Sequence, residues 1–175
     1  MHLDLIVLLA EAFLVYFLVL GAHALRHRFG LAHFYAVLGA VTAIMSWVTD
    51  AGVAVEIGGI VFMVGSTVFY TSLLLGVFVV YVFDGPRATR IAISTVAGVS
   101  VLMPLVAAVL HFQTHLLEQP AIAHVPIPNL RINTASVLTT IADLFFLAMA
   151  WECLGKTRVT RGVWVRAFLS LLGVM

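Results

Sequence analysis

The chain has 175 residues, of which 63% are apolar and only 10% charged, with a formal net charge of +1 and a mean hydropathy of +1.15. Soluble domains carry about 25% charged residues, so this composition excludes one, and the near-neutral balance leaves no basic footprint for nucleic acid. The single cysteine, Cys153, excludes an internal disulfide and a cysteine-based metal site, and reads as a small apolar side chain in a helix.

Residues 3–25 form the first apolar run long enough to cross a bilayer. Asp4 and Glu11 stand within it and no basic segment precedes it, which predicts a retained helix rather than a signal peptide. Glu11, at mid-depth, needs a polar partner. Arg26-His27-Arg28 closes the run, and a second span covers 31–48, stopping at Thr49-Asp50. Residues 51–83 are apolar throughout, too long for one simple span. Within them, β-branched runs flank Gly58-Gly59. That pattern predicts a β-hairpin, because both glycines accept positive φ and the strands satisfy each other's backbone groups; the alternative is one long tilted helix kinked at the glycines. The third span then covers 66–83.

Arg87 and Arg90 precede a fourth span over 91–112. Residues 113–130 are polar and carry Pro120, Pro126 and Pro128, which predicts a loop. The fifth span is 131–154, closed by Lys156, Arg158 and Arg161; 162–175 begins a sixth apolar helix and stops within it. The expected fold is an all-α membrane protein. It is a transmembrane helical bundle of five complete spans plus a truncated sixth, with a short extracytoplasmic β-hairpin. Residues 1–175 are expected to form a single transmembrane domain, the N-terminal part of a longer protein in which a seventh span returns to the cytoplasm.

Nine residues are Lys or Arg. With the N-terminus outside, all but Arg131 fall on one side, and Asp50, Glu56 and Glu118 fall with Arg131 on the other. Loops rich in Lys and Arg stay in the cytoplasm. The chain is therefore expected in the cell (inner) membrane as a multi-pass protein with an extracytoplasmic N-terminus.

Polar residues inside a span are costly and point to function. In the fifth span Asn133, Ser136, Thr140 and Asp143 are spaced three, four and three apart, so they share one helical face. Arg131 stands at its outer mouth. Arginine above, hydroxyls in the middle and a carboxylate below suit a polar, planar ligand with donors and acceptors. Glu56 on the hairpin is a candidate to close such a pocket. Ser66, Thr67 and Tyr70 begin the third span on the same side, with Phe69, Tyr70 and Phe146 as candidate walls. The ligand-binding set is Glu56, Tyr70, Arg131, Asn133, Ser136, Thr140 and Asp143, and Asp143→Ala is expected to spare folding. Trp47 and Trp151 read as interfacial belt residues or stacking platforms, the belt being the default reading.

His111 and His115 lie on one membrane face and His23, His27 and His33 on the other, which argues against a metal or haem site. No nucleotide-binding, nucleophile-elbow or HExxH motif is present. The expectation is a protein with no catalytic residue, cofactor or metal. Lys156, the one lysine, stands at the cytoplasmic end and rules out a mid-membrane retinal Schiff base.

Two stretches carry a family resemblance. Phe83-Asp84-Gly85-Pro86-Arg87-Ala88-Thr89-Arg90 resembles the acidic-aromatic-Gly turn and Ala-Arg of the vitamin-uptake or queuosine-precursor transporters. Arg131-Ile-Asn-Thr-Ala135-Ser136 followed by Asp143 resembles the Arg-x-x-x-Ala-Ser…Asp helix of their substrate pocket. Residues 35–90 more closely resemble vitamin-uptake-like sensor domains, and the resemblance covers roughly 31–175. It implies the fold of energy-coupling-factor transporter S-components. Two features depart from the transporters: an added helix in front, and Ala142 where their helix has an amide before its Asp.

The expected function is a membrane-embedded sensor domain. It binds a vitamin- or nucleobase-like small molecule from the outer side and signals to a C-terminal cytoplasmic domain such as a histidine kinase. The alternative is a transporter for a vitamin or queuosine precursor. The bilayer is the other expected partner, and a homodimer is one assembly open to the chain. The charge segregation predicts that a reporter fused after Arg28, Arg90 or Arg158 scores cytoplasmic and one within 113–130 scores external. A cytoplasmic score for that loop would contradict the span assignment.

Overall fold

The computed structural model describes residues 2–116, 130–155 and 169. Helix α1 is His2–Ala24, α2 is Arg26–Phe29 and α3 is Leu31–Asp50. Strands β1 (Ala54–Ile57) and β2 (Ile60–Met63) follow. A π-helical stretch, Gly65–Tyr70, leads into α4 (Thr71–Leu116), and α5 is Leu130–Gly155. Among the described residues four helices are long and apolar enough to cross a membrane: Asp4–Ala24, Leu31–Asp50, Gly65–Gln113 and Thr134–Cys153. Their surfaces fit that setting. Phe17 on α1 is 78% exposed and Phe13 71%, a face suited to lipid. The loop expected over 113–130 is helical at both ends, where α4 runs to Leu116 and α5 begins at Leu130; residues 117–129, the basic residues from Lys156 to Arg166 and the expected sixth span apart from 169 lie outside the described residues.

The long helix α4 is broken at Gly85, where φ is 84° and ψ −179°. Glycine alone adopts that geometry readily. Pro86 then starts the second arm, where its missing N–H is one of the donors a helix start leaves free. Neighbouring residues show that the chain doubles back here. On the first arm, a Cβ at Gly65 would lie against Thr49, and one at Gly76 against Leu38, so this arm runs opposite to α3. On the second arm, Ala88 accepts from Tyr35 (3.2 Å) and Thr95 and Val99 lie against Gly39, so this arm runs along α3.

The same reasoning places the flanking helices. Tyr16 meets Thr71 (2.7 Å) and His23 meets Asp84 (2.6 Å), so α1 runs along the first arm. The core lies where α1, α3 and the first arm converge, around Val19, Phe34, Leu38, Leu73, Val77 and Val80. A small satellite cluster of Phe78, Leu147 and Trp151 joins α5 to the first arm.

Small residues set the helix spacing, because packing rather than solvent exclusion drives helix association in lipid. The buried hydroxyls of Thr42 and Ser72 are satisfied within their own helical segments: Thr42 donates to the Leu38 carbonyl and Ser72 to that of Phe69, both at 2.7 Å. The hairpin pairs Ala54 with Met63 and Ile57 with Ile60, antiparallel. Its turn residues Gly58 and Gly59 have φ of 62° and 82°, the positive pair that a two-residue turn of this kind requires. Val55, Ile57 and Phe62 pack on the core.

Trp151 departs from the belt expectation. It is 9% exposed and packs edge-on against Phe78, with ring centroids 5.1 Å apart. Trp47 is exposed. A Cβ at Gly76 would come within 2.8 Å of Val19 and 2.9 Å of Leu38. Gly76→Ala should therefore lower stability by about 1–3 kcal/mol, measured by thermal unfolding in detergent. An unchanged or raised midpoint would contradict the close approach of these three helices.

Candidate functional site

At the hairpin end of the bundle, α5 lies beside the π-helical stretch. A π-turn carries one residue more than an α-turn and is often found at functional sites. Here it opens the start of the first arm. Ser66 and Thr67 both donate back to the Met63 carbonyl, Ser66 at 3.1 Å. Tyr70, at its end, donates to Oδ2 of Asp143 on α5.

Next to this pair is a cavity of about 230 Å³. Met45 and Thr49 of α3 line one side, Gly65, Ser66 and Tyr70 a second, and Ser136, Thr139 and Thr140 of α5 a third. The lining is rich in hydroxyls, and among the described residues it contains no charged side chain. Thr140 is 5% exposed, and Thr139 donates to the Ala135 carbonyl at 2.9 Å.

The structure thus brings Tyr70, Ser136 and Thr140 to one cavity and sets Asp143 behind Tyr70. Asp143 is not a free cavity carboxylate, because it accepts from a tyrosine of another helix. The premise of the expectation that its removal spares folding, a carboxylate without a protein partner, does not hold. Glu56 is not brought to the cavity. It is exposed on β1, on the face opposite Val55 and Ile57. The lining comes from α3, the π-helical stretch and α5 rather than from the strands. Phe69 lies in the core and Phe146 is exposed, so neither forms a wall. Arg131 and Asn133 occupy the first turn of α5; their side chains lie outside the described residues. Met45, Thr49, Gly65 and Thr139 are additions to the expected set. Thr139 had a signal, standing three residues after Ser136 and four before Asp143, on the same face.

A larger cavity of about 390 Å³ lies between the second arm of α4 and α5, lined by Val101, Pro104, Leu105, Val137 and Leu138 with Ser100 and Thr134. It is mainly apolar and does not contain the polar face of α5.

At the opposite end a second polar centre holds the reversal in place. Asp84 Oδ2 is 2.6 Å from His23 Nε2, and Oδ1 is 3.2 Å from Arg26 Nε. Arg26 Nη1 also lies 3.2 Å from His23 Nδ1. Guanidinium can only donate, so Nδ1 accepts and Nε2–H donates to the carboxylate. The guanidinium also sits 5.7 Å from the Phe83 ring centre. His23 therefore has a structural partner on another helix. Among the described residues no group of three or more His, Cys, Asp or Glu is placed to hold a metal ion.

The profile of the family described as "Vitamin uptake-like sensor" matches residues 16–175. The chain belongs to the vitamin uptake-like sensor family. The match starts inside α1 and takes in both polar centres. No curated protein and no solved structure matches the chain. Family membership identifies a sensor domain, and the apolar helices fit a membrane protein.

Interhelical hydrogen bonds in membranes contribute about 0.6 kcal/mol on average and up to about 1.7. A double-mutant cycle of Tyr70→Phe with Asp143→Asn should return a coupling in that range. Strictly additive stabilities would show that the two side chains do not act as a pair.

Proposed function

We propose that the domain is an input module that binds a small, neutral, polar ring compound of vitamin or nucleobase type from the outer side of the membrane. It signals to a cytoplasmic output domain such as a histidine kinase. The observation that carries this reading is the hydroxyl-lined cavity adjoining the Tyr70–Asp143 bond. At about 230 Å³ it is below the size of drug-sized sites, roughly 300–1,000 Å³, and suits one or two fused rings. A lining of hydroxyls without charge favours a ligand that both donates and accepts hydrogen bonds. Thr49 and Ser66 face Thr139 and Ser136 across it, so such a ligand bridges three segments at once.

The reading extends to architecture and orientation. The alternating directions of α1, α3, the two arms of α4 and α5 support five crossings, in keeping with an S-component-like bundle in the inner membrane. The segregation of Lys and Arg supports an N-terminus outside, which puts the hairpin and the cavity at the outer face and Asp84 at the inner one. Signalling then has a direct route. A ligand that takes the Asp143 carboxylate from Tyr70 alters the outer hold on α5, the helix that leads toward the cytoplasm.

Thermal unfolding of the purified protein with purines, pterins and vitamins tests the site. A true ligand at about 100 times its Kd stabilises by about 2.7 kcal/mol. Ser136→Ala and Thr139→Val should each weaken that ligand about tenfold, while Glu56→Gln leaves it unchanged. A ligand whose affinity ignores Ser136 and Thr139 would place binding elsewhere.

A further inference from the structure

A third cavity, of about 270 Å³, lies at the reversal end between both arms of α4 and the last turns of α5. It shares no residue with the sensor cavity, and its walls are graded. Arg90, Tyr81 and Glu152 are near the ends of their segments, beside the break at Gly85 and before Gly155. Ile93, Phe145 and Met149 line it one to two turns deeper along the same helices. Phe145 is 64% exposed and Met149 46%, so the apolar wall is continuous with the face these helices turn toward lipid.

The charged groups are left available. Tyr81 donates to Oε1 of Glu152 at 2.6 Å, which fixes the carboxylate at the cavity. Arg90 is exposed, and among the described residues it has no ion pair or hydrogen bond. A guanidinium and a carboxylate therefore line the same cavity without neutralising each other. Beyond the bond from Tyr81, the Glu152 carboxylate retains acceptor capacity, so the two groups can recognise opposite charges on one ligand.

We infer that this cavity holds the headgroup of a phospholipid bearing a primary ammonium, a phosphoethanolamine lipid. Arg90 takes the phosphate, for which guanidinium has the matching fork of donors. Glu152 accepts from the ammonium, and an acyl chain runs along Ile93, Phe145 and Met149. The carboxylate argues against a purely anionic headgroup, which it would repel. A quaternary ammonium is disfavoured because it has no N–H to donate. A lipid held there bridges the reversal of α4 and the exit of α5, at the end opposite the sensor cavity.

The test uses the full-length protein in detergent, exposed in turn to phosphatidylethanolamine, phosphatidylglycerol and phosphatidylcholine of identical acyl chains. Retained lipid is counted by native mass spectrometry. The phosphoethanolamine lipid should be retained about tenfold over each of the others, the scale of one charge-assisted hydrogen bond. Arg90→Gln, at a side chain without a partner among the described residues, should lose that retention. Glu152→Gln keeps an acceptor for Tyr81 and should erase the preference over phosphatidylglycerol. Equal retention of the three lipids would overturn the proposal, as would preference for phosphatidylglycerol or unchanged selectivity in both folded variants. Displacement by millimolar soluble phosphoethanolamine as efficient as by the lipid would overturn the assignment to a membrane lipid.

Discussion

The carboxylate of Asp84 is the point from which the bundle is organised. It lies where a long apolar helix breaks at Gly85, mostly withdrawn from solvent, and is held by His23 and Arg26 from the preceding helices. A charge in such a place is retained only when paired and hydrogen-bonded, and here the imidazole and guanidinium also engage each other. The arrangement anchors the reversal of α4 to the end of α1. It thereby sets which residues of the first arm face α1, α3 and α5 along the whole depth of the bundle.

The pairing of the first arm with α5 follows from that placement. The two run in the same direction, joined at one end by Tyr70 with Asp143 and at the other by Tyr81 with Glu152. Between them Phe78 packs on Trp151. Two polar ties with an aromatic contact between them give the pair two addressable ends. In the proposed reading, the end beside the hydroxyl-lined cavity answers to the small molecule, while the other answers to the lipid. A stimulus at either end has the same element to act on, α5.

Much of this was legible in the sequence because the physics behind it is local. Apolar length marks helices that can cross a membrane. Gly58-Gly59 between β-branched runs marks where paired strands can turn tightly. Spacings of three and four placed Ser136, Thr140 and Asp143 on one face of α5. The outward position of Glu56 was also there to be read, since Val55-Glu56-Ile57 alternates and the apolar residues must take the inner face. What was not legible depends on distant partners. Nothing near His23 announces Asp84, sixty-one positions on; Tyr70 and Asp143 were expected at one pocket, but not bonded to each other. The π-helical stretch was hidden because its composition is that of any span start. Trp151 was misplaced because an indole suits both an interface and a core, and only its neighbour Phe78 decides.

The central claim is that a small molecule occupies the cavity between the start of the first arm and α5. A density map of the protein bound to a stabilising compound tests it most directly. The account predicts density bounded by Tyr70, Ser136 and Thr140, within hydrogen-bonding reach of their hydroxyls. Density between the second arm of α4 and α5, beside Pro104 and Leu138, with the Tyr70 cavity empty would contradict it.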